Sequence, residues 1–505
     1  MATNPQPAKK SYFFEKGYID LRNTIKGAWK RNIDSIRHYK SNIGSLKRTI
    51  TKADILVIFK GIVNIMGMIS VLLFGSIITL VISLINIAVL LSFMFLVYIG
   101  FTFIWVVDRI YLFRNNIFTA CHECKEKMLI PTYICPKCAA RHSKLTPGVY
   151  GILRRTCNCG KKLPTSFFFN VSGHYRRDLS AICPYCKHDL RDRETVPICI
   201  PIVGGRSVGK TAFITAFSHD FIKKVAPAKG WEIDSYNPTK DAIYKEIVQD
   251  YDTGSTRMTD RPQDINKPSS VSFSFFVKGP EFNPERLVHV YDIAGEVFTD
   301  NSENEMQKQY EYCHGIVFVV DPFSIPSIRY KYESELAPED IAGIGKADIN
   351  GVVNSFLNKL REVTGLTDYK MSKVPIAIVV NKIDSAGLFT EIGQGAIKAL
   401  MVSDPVKYNN AQDVQDYLCR KFLEDNGMEA FLNNVNIKFK NNRFFACSAI
   451  GHPRDKGAYQ PQGIMQPMEW LFRNADSKMA KLWNDTTYTN KPFALTLKEE
   501  EQLNA

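Results

Sequence analysis

"VPICIPIVGGRSVGKTAFITAF", residues 196–217, decides the fold. An apolar run of strand length ends in a glycine-rich turn, and a segment of helical character follows it. In that setting Gly204, Gly205, Arg206, Ser207, Val208, Gly209, Lys210 and Thr211 form the phosphate-loop pattern G-x-x-x-x-G-K-[ST]. Its backbone N–H groups turn inward around phosphates, Lys210 reaches the β and γ oxygens of a nucleotide, and Thr211 offers its hydroxyl to Mg²⁺. Taken alone, the pattern arises by chance in roughly one or two chains per hundred of this length.

Three further segments follow in order. "RLVHVYDIAGE" at 286–296 is a strand ending in Asp292-x-x-Gly295, where the carboxylate can hold the Mg²⁺ shell and the Gly295 amide can meet a γ-phosphate. "PIAIVVNKID" at 375–384 is another strand, ending in Asn381, Lys382 and Asp384. Asp384 can accept two hydrogen bonds from guanine N1 and N2, which adenine cannot donate, so this carboxylate selects the base. "RFFACSAIG" at 443–451 closes with Ser448 and Ala449, whose backbone can meet the guanine O6.

On these four segments, residues 196 to about 475 resemble a GTPase domain of the translation-factor-related (TRAFAC) class. The resemblance implies an α/β fold: a mostly parallel six-stranded sheet with helices on both faces and the nucleotide at the carboxyl ends of the strands. Strand-like runs at 196–203, 270–277, 287–292, 315–320, 375–380 and 443–447 fit that order. GTP or GDP and Mg²⁺ are the implied cofactors, and hydrolysis of GTP to GDP and phosphate is the implied activity. With the apolar and cysteine-rich segments that precede it, the chain also resembles bacterial double-GTPase-like proteins suspected of acting in defence against phage.

The sequence departs from the family pattern in places. The long separation of Lys210 from Asn381 implies insertions at about 222–268 and 322–350, where surfaces for a protein partner or a second copy are expected. Thr259, with Thr256 as the alternative, is expected to close over Mg²⁺. Glu296 stands where many members carry a water-positioning Gln, and its negative charge near the γ-phosphate predicts slow hydrolysis without added positive charge. Ser207 resembles the loop serine of dynamin-like GTPases, which helps hold a monovalent cation, while Arg206 either reaches a phosphate across a dimer or points to solvent. Two other functions therefore stay open: a dynamin-like membrane remodeller, and a non-hydrolysing GTP-binding scaffold or sensor.

The formal net charge of +13 is uneven: residues 1–60 and 108–195 each carry +9, which leaves the rest near −5. The basic excess suits anionic headgroups, and the C-terminal region shows no basic face for nucleic acid. Between the basic segments, Gly61–Val107 is 47 residues without a charged side chain. A bilayer core of about 30 Å takes roughly 20 helical residues, so the length predicts a two-helix transmembrane hairpin turning near Ser83 to Asn86. Lys and Arg at both ends predict a multi-pass protein of the inner (cytoplasmic) membrane, with both termini and the GTPase domain in the cytoplasm. Upstream, Ile25, Trp29, Ile33, Ile36, Ile43, Leu46 and Ile50 recur at helical spacing among basic residues, which reads as an amphipathic helix for a membrane surface, a second copy or the rest of the protein.

Eight of the twelve cysteines fall between 121 and 186. Cys121, Cys124, Cys135 and Cys138 have zinc-ribbon spacing; Cys157, Cys159, Cys183 and Cys186 form a less regular second set, and ligands exchanged between the sets are an open alternative. Four thiolates complete a structural Zn²⁺ shell without His122, His142 or His188. The expected organisation is thus 1–54 basic amphipathic segment, 55–113 hairpin, 114–194 zinc-ribbon region, 195–485 GTPase domain and 486–505 tail.

Overall fold

The computed structural model describes residues 6–49, 55–115, 117–121, 124, 126–190, 194–235, 248–249, 251–254, 272–292, 313–336, 341, 344, 349–364, 368–452 and 458–483. The chain divides into two compact units, one of residues 1–115 and 129–193, the other of 116–128 and 194–505.

In the first unit, α1 (Lys16–Thr49) runs antiparallel to a single apolar helix, α2, from Ile55 to Arg114. The rings of Phe14 and Tyr98 lie 5.3 Å apart, and Asn42 Nδ2 donates to Asn64 Oδ1 at 3.3 Å. Gly67 lies under the Tyr39 ring, which a Cβ would approach to 2.9 Å. Midway, a π turn at Val71–Gly75 interrupts the regular ladder, and Asn32 Nδ2 donates to Gly75 O at 3.0 Å and Thr79 Oγ1 at 2.7 Å. An inserted polar side chain at a π turn re-satisfies carbonyls that have lost their usual partner. The amphipathic segment therefore packs on its own chain.

The hairpin prediction is corrected here. No turn occurs at Ser83 to Asn86: Ser83 Oγ donates to Thr79 O at 2.6 Å and Asn86 Nδ2 to Ile82 O at 2.9 Å. These polar residues spend their donors on the carbonyl one turn back and so stay helical, with no Gly or Pro to break the ladder. Among the described residues one helix, not two, is long and apolar enough to cross a membrane, which overturns the multi-pass inner-membrane arrangement with both termini in the cytoplasm. At 1.5 Å per residue its 60 residues measure roughly 90 Å, about three bilayer cores.

Near its end α2 carries Asp108, buried and paired with the equally buried Arg176 at 3.3 Å. Asp108 Oδ1 also accepts Phe167 N at 2.7 Å, while Arg176 Nη1 donates to Leu145 O at 3.2 Å and Thr165 O at 3.0 Å. The pair thereby locks α2 to the cysteine-rich segment.

The second unit is an α/β fold on a seven-stranded sheet. Its strands are β1 (Val196–Gly204), β2 (Glu232–Ser235), β3 (Ser272–Lys278), β4 (Arg286–Asp292), β5 (Ile316–Val320), β6 (Ile376–Val380) and β7 (Asn442–Ala446). In space they stand in the order β2-β3-β4-β1-β5-β6-β7, with β4, β1, β5, β6 and β7 mutually parallel and β3 antiparallel to both of its neighbours, β2 and β4, at one edge. The six anticipated runs all fall on strands; β2, short and polar at Glu232–Ser235, adds a seventh that carries no apolar signal.

Every residue of β1 is buried, although Pro197 and Pro201 are rare in a central strand. Parity resolves this. Val196 N donates to Glu285 O, on the β4 side, whereas Cys199 N faces His314 Nδ1 on the β5 side. Both prolines share the parity of Cys199, and β5 pairs with β1 only from Ile202 onward. Their missing donors thus fall where no ladder requires them.

Helices cover both sheet faces. One layer joins Ile198, Ile200, Ile202, Val290 and Val379 with α3 (Lys210–Asp220) and α6 (Met465–Ala475). The other joins Val203, Phe318, Ile378 and Phe444 with α4 (Ile349–Thr364) and α5 (Ala411–Asp425).

Replacing Arg176 by Met strands the buried Asp108 carboxylate and is expected to cost about 3–5 kcal/mol, read as a lowered thermal midpoint and faster proteolysis within residues 129–193. The double replacement Asp108→Leu with Arg176→Met is expected to recover most of that loss, because the uncompensated charge goes with its partner.

Candidate functional site

Parallel register sets the site. Val320, Val380 and Ala446 are level across β5, β6 and β7, and Gly204 stands opposite Val319. One residue beyond each strand come Asp321, Asn381 and Cys447, side by side at the carboxyl edge, with the glycine-rich loop beside them. In open α/β sheets this edge, where strand order reverses, is where a crevice forms.

The loop's two outer glycines are fixed by contact. At Gly204 a Cβ would fall 2.5 Å from Val319 O, and at Gly209, with φ +89°, 2.5 Å from Asn381 Nδ2. Ser207 also takes a positive φ of 62° and, like Arg206, is exposed. Lys210 opens α3 with its stem buried, and its Nζ donates to Gly204 O at 3.1 Å and Gly205 O at 2.8 Å, closing the loop on itself. Thr211 follows at the second position of the helix, half-buried.

Asn381 ties this loop to the neighbouring strand ends. Its Nδ2 donates to Val208 O at 3.0 Å, and its backbone N donates to Val320 O at 2.9 Å. Cys447 Sγ donates to Asn381 Oδ1 at 3.6 Å; burial, then the charge of Asp384, holds that thiol well above its ordinary range and keeps the proton in place. Lys382, at φ +59°, pairs with the fully buried Asp321 at 2.5 Å.

Beyond them, Ser448 Oγ donates to Asp384 Oδ1 and accepts Gly451 N at 2.7 Å. Ser448 also exchanges two backbone bonds with Gln462, at 2.9 and 2.8 Å. The carboxylate of Asp384 is thus oriented through a chain of hydrogen bonds.

The structure brings together Gly204 to Thr211, Asn381 to Asp384, and Ser448 with Ala449. Asp292 ends β4 opposite Ile202, two residues short of the loop. Gly295, Glu296, Thr256 and Thr259 lie outside the described residues. Sequence reasoning missed Asp321, the buried partner of Lys382. Its signal was an acidic residue and a proline directly after the apolar run 316–320, which also places Asp321 as the N-cap accepting Phe323 N at 3.0 Å.

Within the first unit, Cys135 and Cys138 gather with Cys157 and Cys159. Their four sulfurs lie within 4.8 Å of one another, so ligands are exchanged relative to the consecutive pairing. The reason is topological: the strands Arg154–Cys157 and Lys162–Pro164 form a hairpin whose turn presents Cys157 and Cys159 to the Cys135–Cys138 knuckle. Cys135 and Cys159 sulfurs are 3.6 Å apart, Cys138 and Cys157 sulfurs 3.5 Å. Thiolates about 2.3 Å from a central Zn²⁺ have tetrahedral edges of about 3.8 Å, so this group can hold zinc. The Lys161 backbone N–H lowers the Cys159 thiol to about 7, while burial raises Cys157 to about 12.

No family model matches the chain, and no curated protein does. Two solved structures of the S. cerevisiae Ski7 GTPase-like domain are similar to it at 13% identity, one bound to GTP and one bound to GDP and inorganic phosphate. They cover 57% and 54% of this chain and 50% and 48% of their own, with TM-scores of 0.26 and 0.25. The chain thus spans about half the length of these structures.

Metal analysis of the full chain is expected to find zinc. Cys135→Ser should remove one ion, and Cys157→Ser should add nothing to that loss. If Cys157→Ser instead removed a second ion, the tetrad grouping would be wrong.

Proposed function

We propose that the chain binds guanine nucleotide at the carboxyl edge of β1, β6 and β7 and hydrolyses GTP to GDP and phosphate as a nucleotide-controlled switch. One observation carries this: the Asn381 amide is bonded to Val208 of the glycine-rich loop while Asp384, three residues on, is held by Ser448. On this reading a phosphate cradle and an acidic base-reading edge are joined through Asn381.

In this reading the amides of Gly205 to Gly209 and the Lys210 ammonium hold the phosphates, Asp384 accepts from guanine N1 and N2, and the Ala449 N–H donates to O6. Lys382 packs beside the base from its pairing with Asp321. Thr211 and Asp292 would hold Mg²⁺, which supplies charge neutralisation on the phosphate oxygens when bound. Water attacks the γ-phosphorus, and the bond to the β–γ bridging oxygen breaks. Gly295 is assigned to the γ-phosphate and Glu296 to the water, with Thr259 closing the site. The carboxylate at 296 keeps intrinsic turnover slow, so a partner or second copy sets the rate. A lipid bilayer is the partner we assign to the apolar surface of α2, as one crossing at most; liposome flotation of the full chain tests that assignment.

Equilibrium titration of the full chain is expected to give GDP and GTP affinities at least about tenfold above those of ADP and ATP, the consequence of Asp384's two hydrogen bonds. Equal affinity would sink the base assignment. Lys210→Ala is expected to weaken GTP binding about 100-fold through loss of charge-assisted bonds. Asp384→Asn, which turns an acceptor into a donor, should lower GDP affinity by a similar factor and raise that for xanthosine diphosphate, whose C2 carries a carbonyl.

A further inference from the structure

The insertion between β2 and β3 includes a described segment, residues 248–249 and 251–254, that reaches the base-side loop. Tyr251 is buried, and its hydroxyl donates to Ala449 O. Its ring lies 5.1 Å from that of Tyr459 and 5.4 Å from that of His219. The next residue, Asp252, accepts at 2.7 Å from His219 Nε2, at the C-terminal end of the phosphate-loop helix α3, and pairs with Lys223 just beyond it. His219 Nδ1 in turn meets Asp220 Oδ1 at 3.0 Å. One short segment is therefore fastened to the helix behind the phosphates and to the loop facing the base.

Two peptide planes meet at Ala449: its N–H lies in the one before it and its carbonyl in the one after. The plane before it is set by Ser448 O, which accepts Gln462 N at 2.8 Å; in a trans peptide the Ala449 N–H then points the opposite way. The plane after it is set by Tyr251 on Ala449 O. Removing that donor frees the second plane and leaves a buried carbonyl unsatisfied. Burial, then the charge of Asp220, holds the Tyr251 phenol well above its ordinary range, so it remains a donor at any working pH.

We infer that Tyr251 is a positioning residue for base recognition: by holding the Ala449 carbonyl it anchors Ala449, whose N–H direction the Ser448–Gln462 bond sets, at its distance from the purine 6-oxygen, and it transmits the state of the inserted segment to the nucleotide's base. The inference rests on the reading of Ser448 and Ala449 proposed above. A partner that gripped the insertion would then alter nucleotide affinity from the base side.

The test compares the full wild-type chain with Tyr251→Phe, which removes only the hydroxyl, against GDP, inosine diphosphate and 2-aminopurine riboside diphosphate. The first two carry the 6-oxygen and the third lacks it. Tyr251→Phe is expected to weaken GDP and inosine diphosphate about tenfold each and leave 2-aminopurine riboside diphosphate unchanged. Asp252→Asn, which loosens the same segment from its exposed side without touching the core, should show the same selectivity to a lesser degree. Equal losses on all three ligands, or no loss on any, overturn the inference alone. Failure of the wild-type chain to bind GDP overturns the base assignment and this inference with it.

Discussion

The parallel register of β1, β5, β6 and β7 is the constraint on which the rest of the second unit depends. With Val320, Val380 and Ala446 level, the residues that follow emerge at one edge, and each arrives with a different chemistry: a buried carboxylate at Asp321, an amide at Asn381, a protonated thiol at Cys447. A slip by one residue in any strand would turn its side chains to the other face and scatter the edge. Burial on both faces resists such a slip, because odd and even positions of β1, β5 and β6 belong to separate hydrophobic layers. Hydrophobic packing therefore fixes the register from which the polar edge follows.

Much of that frame was legible in the sequence. Apolar runs bounded by Gly, Asn or Asp announce parallel strands, and the glycine spacing at 204 and 209 announces a loop that other backbones and side chains must approach closely. What stayed hidden depends on tertiary pairing. Two prolines in β1 argue against a central strand until their shared parity with Cys199 is known. Asp321 reads as an ordinary N-cap until Lys382 is seen to lie against it. Tyr251 sits in an insertion with no periodic signal, and only the fold carries it to Ala449, nearly two hundred residues away.

The first unit shows the opposite balance. Composition identified the apolar stretch but not its path, because length alone suggested two spans where the backbone makes one helix. Ser83 and Asn86 look like turn residues in a sequence, yet each satisfies itself on the preceding turn. The polar group that does perturb α2 is Asn32, on another helix, at the π turn. Similarly, the cysteine spacings identified metal-binding chemistry while leaving the partners open; a hairpin turn, not sequence adjacency, pairs Cys157 and Cys159 with Cys135 and Cys138.

At the glycine-rich loop, Lys210 holds two carbonyls of its own loop, Gly204 and Gly205. These are bonds from a charged donor to neutral acceptors. A phosphate that entered the cradle would offer the same ammonium charged oxygens, and charge-assisted bonds of that kind are roughly twice as strong as neutral ones. The loop would not need rebuilding for the exchange, because its shape is kept by other contacts: Asn381 on Val208, and the close approach of Gly204 to Val319. The lysine thus spends its donors on bonds that an anion can outcompete. Binding then costs little reorganisation, and the differential strength of the two sets of bonds becomes available as affinity.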